Sequence, residues 1–547
     1  MKKRLFALSL LAASMPAAAL QFEFDNGLVM SVDSTVTWGA QWRVQDRDDD
    51  LTGRALMAAV IDDPFLPLTD LDYVQAETVK LNGDDGNHNF DTGLISNRVT
   101  FLVDVDATWE NYGAFLRGRA FYDQVYRDDD TDLDDDVYQG YNSGAIYGGD
   151  ASPGEFPRRT RDMHGNRFEL LDAFVYGTWE IPGDRLLDLR VGRQLINWGE
   201  AVFYQGVNSI QNRVDAQAAN TPGVEVKEIL LPTGSIYLQV DVVPNLTMEA
   251  YYQFEWIKND LNGVGSYFST TDQVGPGAYS FIIPTPNLGP GNPIGGNEFN
   301  LRGVPRMEDE EASDSGQWGL AFHFVTQGGS DIGVYHVVGH DKKPSFVLDY
   351  IDVAGSPVPV PIDYRLRYYE DIKGTAASIT TVVGDTNVTG ELSFLDGTPM
   401  VNAAGDPQRE NLAKVQVGGT HLFGPNRFWD DAVLTFETYY ATVTSANQEE
   451  LNADDSAFGY SVLAEPTLRN VMQGWDLVLP IYFKHDVDGL VRELQAFEEA
   501  KVLSLGLRGI YLSNFTAQFN WAIYMGGGTD NLIRDRDNIS VTLKYNF

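Results

Sequence analysis

The sequence DNISVTLKYNF, residues 537–547, alternates strictly between apolar and polar side chains. One parity carries the apolar residues Ile539, Val541, Leu543, Tyr545 and Phe547. The other parity carries Ser, Thr, Lys and Asn. Successive side chains of a β-strand point to opposite faces, so this pattern predicts a strand with one apolar and one polar face.

The last residues also predict how the chain is assembled. Phe547, preceded by Tyr545 and Leu543 at alternate positions, resembles the signal that the outer-membrane barrel assembly machinery reads. The closing strand of a membrane barrel needs apolar residues on its lipid-facing side. The alternative is an ordinary last strand of a soluble β protein.

The first residues have the pattern of a secretory signal peptide. Lys2, Lys3 and Arg4 precede the apolar run Leu5–Leu11, and Ala17–Ala19 form a small-residue cleavage site. That run is too short to span a bilayer. We therefore predict a signal peptide over residues 1–19 and one exported domain over residues 20–547.

Composition narrows the destination of the exported chain. No later apolar run approaches the roughly 20 residues that a spanning helix needs, which leaves the soluble periplasm or an outer-membrane barrel. The absence of cysteine excludes disulfides. A net charge of −39 argues against nucleic-acid binding. Aromatic residues make up 12% of the chain, as expected for the interface girdles of membrane barrels.

The alternation recurs along the chain. Between Leu28 and Val44, Trp38 and Trp42 share one parity while Asp33 and Arg43 share the other. Similar segments are joined alternately by short turns and long loops. The pattern predicts an all-β fold, a transmembrane antiparallel up-and-down β-barrel with short periplasmic turns and long extracellular loops. We count about 18 strands, with 16 as the alternative. Closure is required because lipid satisfies no backbone hydrogen bonds.

The strand parities also place polar residues on the inner face of the predicted barrel. The candidate residues for a lumen or constriction are Arg98, Asp104, Arg117, Arg119, Asp188, Arg190, Trp198, Glu200 and Glu249. Trp198 and Glu200 belong to residues 197–231, whose weak alternation predicts either an inward constriction or an external loop. The arginines either attract an acidic headgroup or pair with the neighbouring carboxylates. Arg193 falls on the lipid parity, which predicts a strand end, a bulge or a position at the rim.

No enzymatic motif is present, and we predict neither catalysis nor a cofactor. The acidic loop Asp128–Asp136 is dense enough in carboxylates for Ca²⁺, with Asp128, Asp130 and Asp132 as candidate ligands. It lacks the glycine and the closing glutamate of an EF-hand. The alternative is a solvated anionic loop that divalent ions bridge to lipopolysaccharide.

Several separated motifs carry a family resemblance. They are WGAQWRVQDRD at 38–48, LLDAFVYGTWEIPG at 170–183, LDLRVGRQLINWGE at 187–200, PGVEVKEILLP at 222–232, EAYYQFEW at 249–256 and NLIRDRDNISVTLKYNF at 531–547. Together they resemble the outer-membrane family DUF1302. The resemblance implies a barrel of undefined activity, without catalytic residues to carry over. It also implies a periplasmic DUF1329-type partner and an RND-type transporter, in systems that degrade or export hydrophobic compounds.

These observations predict a monomeric β-barrel in the outer membrane of a Gram-negative cell, in contact with lipid and lipopolysaccharide. Its expected function is passive uptake or export of hydrophobic or amphipathic small molecules. Tyr, Phe and Trp in the loops would take up such a solute. One alternative is a porin-like channel for polar solutes. The other is a structural docking partner for a periplasmic lipid carrier.

Overall fold

The alternating segments form long antiparallel strands that pair with their neighbours in sequence. A computed structural model describes residues 20–53, 77–128, 155–284, 301–352, 359–491 and 496–547. Its large sheet contains 20 strands. Leu20–Glu23 only extends the pairing of the first barrel strand, and Trp475–Val478 and Ile481–Asp488 are two halves of one strand interrupted at Pro480. The barrel wall therefore has 18 strands.

The wall strands are numbered in chain order. They are β1 Val29–Arg43, β2 Gly93–Trp109, β3 Tyr112–Asp123, β4 Asn166–Ile181, β5 Arg185–Gln194, β6 Thr233–Val243, β7 Leu246–Gln253, β8 Gln317–Val325, β9 Asp331–Gly339, β10 Ile372–Val383, β11 Thr386–Val401, β12 Pro407–Phe423, β13 Asp431–Val443, β14 Ser456–Met472, β15 Trp475–Val478 with Ile481–Asp488, β16 Lys501–Tyr511, β17 Phe515–Met525 and β18 Asn538–Asn546.

The last strand closes the barrel against the first. Trp38 of β1 lies opposite Leu543 of β18 on one side and Val99 of β2 on the other. Phe547 continues this pairing, since its N–H donates to Ser34 O at 2.9 Å and its carbonyl accepts from Ser34 N at 2.8 Å. The predicted antiparallel barrel of 18 strands is confirmed, and the alternative of 16 is not.

The two ends of the barrel differ. One end, the short-turn end, has connections such as 110–111, 182–184 and 244–245. The other, the long-loop end, carries long connections that include 195–232 and 254–316. Short helices lie in these connections: α1 Asp85–His88, α2 Gln124–Asp128, α3 Arg158–His164, α4 Ala216–Ala219 and α5 Val226–Ile229. Three small hairpins also lie there, Arg213–Val214 with Leu230–Leu231, Ser280–Pro284 with Leu301–Pro305, and Ser345–Ile351 with Val360–Arg367.

The outer face of the wall is apolar and exposed. Its exposed side chains include Phe101, Leu116, Val175, Val334, Leu392, Val415, Phe519 and Trp521. Aromatic side chains cluster towards the short-turn end, where Trp109 stacks on Tyr112 with ring centroids 6.4 Å apart and Trp475 packs on Tyr511 at 5.2 Å. An exposed apolar surface around a closed wall, with aromatic rows at its edge, is what a lipid bilayer requires.

Some predictions fall outside the described residues. The signal peptide and the candidate ligands Asp130 and Asp132 are among them, while the backbone of Asp128 ends α2. Among the helices of the described residues, none is both long enough and apolar enough to cross a membrane.

Candidate functional site

Residues 195–232, the inner segment, connect β5 to β6 and cross the inside of the barrel. On one side Glu437 of β13 accepts a hydrogen bond from Phe203 N at 2.6 Å. On the far side Arg98 of β2 donates to Thr221 Oγ1 at 3.0 Å. A connection between two adjacent strands reaches both sides of a closed wall only by passing through its lumen.

Two wall glutamates hold the backbone of the inner segment. Glu391 of β11 accepts from Glu200 N and Val207 N, each at 2.9 Å. Glu437 accepts from three successive backbone N–H groups, those of residues 202, 203 and 204, at 3.2, 2.6 and 3.0 Å. A carboxylate that accepts backbone N–H groups forms charge-assisted hydrogen bonds, which are stronger than neutral ones. The two side chains therefore fix the position of residues 200–207.

Neighbouring polar residues on the inner face complete this attachment. Gln416 of β12 donates to Tyr204 O at 2.8 Å, and Lys414 donates to Gln205 O. Ser461 of β14 donates to the hydroxyl of Tyr204 at 2.9 Å. The first two contacts satisfy the carbonyl groups of Tyr204 and Gln205 in a stretch without regular secondary structure, as buried backbone requires.

Apolar packing anchors the start of the inner segment to strands β7–β9. Trp198 is buried, with its ring centroid 4.9 Å from that of Tyr251 and 6.2 Å from that of Tyr335. Its Nε1 donates to Glu249 Oε2 at 2.6 Å. A Cβ at Gly319 would lie 2.6 Å from the indole ring, so the close approach of Trp198 depends on a glycine in β8.

The arginines of β3 form an ion network in which Arg119 is buried and Arg117 is half-buried. Arg117 makes a bidentate contact with Asp104, with both N···O distances at 2.8 Å, and contacts Asp172 at 3.2 Å. Arg119 contacts Glu169 at 2.5 Å and Asp215 of the inner segment at 2.7 Å. These arginines are therefore paired, and Arg119 also ties the inner segment to the wall.

Arg98 and Arg190 have different surroundings. Arg98 lies 3.6 Å from the ring centroid of Phe121 and 3.8 Å from Asp123. The guanidinium of Arg190 lies 4.4 Å from the ring centroid of Tyr237. Among the described residues, no carboxylate lies within ion-pair distance of Arg190. Asp188, on the same strand, accepts a hydrogen bond from Thr178 instead.

Several cavities of the described chain adjoin the inner segment, and two of them have the volume of a small-molecule site. The aromatic cavity, about 340 Å³, is lined by Arg190, Trp198, Glu200, Tyr237, Glu249, His323 and Tyr335, among others. The closing-strand cavity, about 390 Å³, is lined by residues that include Asp33, Asp104, Glu225, Lys227, Asn546 and Phe547. Since the inner segment contributes to both linings, a displacement of this segment would change both cavities.

The predicted site residues separate into three groups. Arg190, Trp198, Glu200 and Glu249 meet at the aromatic cavity. Asp104, Arg117 and Arg119 belong to the ion network, and Arg98 and Asp188 lie apart from both. The sequence analysis missed Glu391, Lys414, Gln416 and Glu437. The sequence pattern marked these residues only as polar side chains that face the lumen from three consecutive strands, β11–β13.

The position of Arg193 explains how an arginine can occupy the lipid-facing parity of its strand. It is the next-to-last residue of β5, and its Nη2 lies 2.5 Å from Glu255 Oε1. Glu255 follows the end of β7, on the connection that leads to the long-loop end. Arg193 therefore lies at the rim, where an ion pair replaces contact with lipid.

Acid should weaken the fold through His164, which is buried at the end of α3. Its Nε2 accepts from Gly263 N at 3.0 Å. Burial, helped by Arg98 and Arg167, lowers the pKa of His164 from 6.5 to about 3. The unfolded chain binds a proton near pH 6.5 while the folded protein does not. The stability contribution of this group is therefore complete above about pH 6.5 and is lost towards pH 3.

We expect the free energy of unfolding to fall by up to about 1.4 kcal/mol for each pH unit in this range. Denaturant unfolding of the detergent-solubilised barrel between pH 7 and pH 4 measures it. His164→Gln should remove this part of the pH dependence, and His336→Gln, on the outer face of β9, should retain it. Equal slopes for His164→Gln and the wild type would contradict the assignment.

A closed wall with an apolar exterior, an ion-paired interior and an inward connection defines an outer-membrane-type β-barrel. The family model described as "Protein of unknown function (DUF1302)" matches residues 1–547, and the chain belongs to this family. The resemblance inferred from the sequence motifs is thereby confirmed. No curated protein matches the chain.

Solved structures show similarity to the chain at low identity. Acinetobacter baumannii OccAB4 shares 11% identity, with 96% of this chain and 98% of that chain covered and a TM-score of 0.43. Acinetobacter baumannii OccAB3 shares 10% identity, with 95% of this chain and 99% of that chain covered and a TM-score of 0.42. The outer membrane channel DcaP of the same organism shares 8% identity, with 96% of this chain and 99% of that chain covered and a TM-score of 0.35. At these identities we transfer no residue role from them.

Proposed function

We propose that this protein is a passive outer-membrane channel for small amphipathic molecules that carry an acidic group. The solute moves down its own gradient, and no chemical step is involved. The observation that carries the proposal is the position of Arg190 in the aromatic cavity. It offers a positive charge without a carboxylate partner among the described residues.

The aromatic cavity combines the two features that such a solute needs. A guanidinium binds a carboxylate through two parallel hydrogen bonds. Trp198, Tyr237 and Tyr335 line the same cavity, so the rest of the molecule meets aromatic side chains beside the guanidinium. Glu249, an acidic wall residue in contact with Trp198, already accepts its indole N–H and lies 3.9 Å from His323.

Swelling of proteoliposomes tests the proposal directly. We expect an aromatic monocarboxylate such as benzoate to enter faster than a neutral sugar of similar size. Liposomes without protein give the background rate. Faster entry of sugars or amino acids than of benzoate would overturn the proposal.

Loss of the Arg190 charge should reduce selectivity for the acid. Arg190→Gln is expected to weaken benzoate binding about tenfold or more, because a hydrogen bond to a charged group contributes about 1.5–3 kcal/mol. Concentration-dependent benzoate flux, or block of ion current, measures this effect. Entry of the neutral analogue benzyl alcohol should be unchanged.

The matched control is Arg508→Gln. Arg508 is another wall arginine, but its Nη1 lies 3.2 Å from Glu465, so its charge is already neutralised. We expect benzoate flux through this variant to equal that of the wild type. An equal loss in both variants would show that general lumen charge, rather than Arg190, determines the preference.

A porin-like channel for polar solutes is the second candidate. It is favoured by the polar lining that both cavities share, which in the closing-strand cavity includes Asp33, Asp104 and Asn546. Under this alternative, sugars pass readily and Arg190→Gln has little effect on the preference for benzoate.

A further inference from the structure

Two long connections pack tightly against each other at the long-loop end. The first contains α1, and the second contains residues 263–272. Asn89 Nδ2 donates to Gly265 O at 2.9 Å, and Asp272 N donates to Asn82 O at 2.9 Å. A Cβ at Gly86 would lie 2.3 Å from Ser266 O. The approach is so close that the side chains between the two connections are excluded from water.

Three carboxylates meet at this contact. Asp84, Asp85 and Asp272 each provide an oxygen atom within 4.8 Å of the others. Their exposed fractions are only 1%, 1% and 0%. Burial raises the pKa of Asp84 and Asp272 well above the ordinary value, and the neighbouring carboxylates raise it further. A cluster of this kind needs neutralisation by protons or by a cation.

Two oxygen atoms of the cluster have no partner. Asp84 Oδ1 and Asp272 Oδ1 are buried and accept no hydrogen bond in the described part of the chain. Their second oxygens are engaged, since Asp84 Oδ2 accepts from Gly53 N at 2.7 Å and Asp272 Oδ2 from Asp85 N at 3.3 Å. Each aspartate therefore keeps one acceptor atom available for a ligand.

The nearby basic groups form no hydrogen bond with the two free oxygen atoms. Arg536 pairs with Asp535 at 3.3 Å and donates to Gly86 O. The contact of His88 with Asp84 is long, at 3.4 Å. Among the described residues, no arginine or lysine lies within ion-pair distance of Asp84 or Asp272. Carboxyl groups without an arginine or lysine partner and free acceptor oxygens thus coincide at one buried point.

We propose that Asp84, Asp85 and Asp272 bind a divalent cation of the calcium type, which clamps the α1 connection to residues 263–272. A ligand set made of carboxylate oxygens favours Ca²⁺ or Mg²⁺ over softer metals. Ca²⁺ accepts an irregular set of six to eight oxygens, as two loops would supply with carbonyl groups and water. The site is separate from the acidic loop 128–136 and does not depend on what passes through the lumen.

Calcium titration of the EDTA-treated, detergent-solubilised protein tests this proposal. We expect saturable binding by calorimetry and a rise in Tm of several degrees at saturating Ca²⁺, because a ligand that binds only the folded state stabilises it. Asp272→Asn should abolish both responses. Asp91→Asn is the matched control, since Asp91 lies in the same connection and half of its side chain is exposed.

Two results would overturn the proposal. One is a wild-type protein whose Tm and calorimetric signal do not respond to Ca²⁺, which would indicate protonated carboxylates instead. The other is an Asp272→Asn variant that retains the full wild-type response. If Asp272→Asn fails to fold, Asp84→Asn and the wild-type titration by itself decide the question.

Discussion

In planar bilayers, the double variant Glu391→Leu/Glu437→Leu is expected to show a conductance several times that of the wild type. These two side chains accept five hydrogen bonds from backbone N–H groups of the inner segment. Leucine has a similar volume and accepts none. The variant should therefore release residues 200–207 from the wall and widen the lumen.

The expected size of this effect follows from the cost of unsatisfied donors. A fully buried N–H group without an acceptor costs about 1–3 kcal/mol, so the loss of five acceptors costs at most about 5–15 kcal/mol, a range that includes the roughly 5.5 kcal/mol that reverses a 99:1 equilibrium. The attached conformation should become the minor one. Single-channel recordings, together with swelling rates for solutes of increasing size, measure the change.

The control for this experiment is Glu465→Leu. Glu465 lies in the adjacent strand β14 and contacts Arg508 rather than the inner segment. We expect its conductance to stay near that of the wild type. If the double variant conducts like Glu465→Leu while both are fully folded, the inner segment does not limit the lumen.

Deletion of Phe547 is expected to leave most of the protein unassembled in the periplasm, with export across the inner membrane unchanged. The residue contributes two backbone hydrogen bonds to Ser34 and stacks on Tyr545 with ring centroids 5.9 Å apart. It thus extends the pairing of β18 with β1 by one residue, and it also carries the predicted assembly signal. Heat-modifiable mobility of the barrel in outer-membrane fractions measures assembly.

Phe519→Ala is the control that distinguishes loss of the assembly signal at Phe547 from a general loss of apolar surface. Phe519 lies on the outer face of β17, opposite Val541, and is 41% exposed. We expect this variant to assemble normally, with at most a small loss of stability. Normal assembly of the Phe547 deletion would contradict the role of the last residue.

The strands of the barrel wall were predictable because the face that each residue occupies depends only on its neighbours in the sequence. A strand repeats every two residues, so Trp38 and Arg43 are assigned to opposite faces from their parity alone. The same rule orients Gln518 and Phe519 and every other residue of a regular strand. Closure then follows from the bilayer, which leaves no open edge in lipid. Arg193 shows the limit of this rule, since parity gave its face but not its position at the rim.

The lumen was not predictable to the same extent, because its contacts join residues far apart in the chain. Glu437 binds backbone N–H groups of residues 202–204, which carry no side-chain signature. Arg119 pairs with Asp215, and its identity as a lumen residue did not specify that partner. The buried aspartates 84, 85 and 272 come from two separate connections.

By itself, the sequence determined the barrel class, the inner and outer faces of its strands and the seam at residues 537–547. The two-residue repeat of a strand and the need for apolar side chains against lipid constrain each residue separately, so both can be read from the sequence. Only the tertiary structure decided that residues 195–232 cross the lumen, that Glu391 and Glu437 hold them and that Arg190 stays without a carboxylate partner in the described chain. Those outcomes depend on which distant groups meet inside a closed wall.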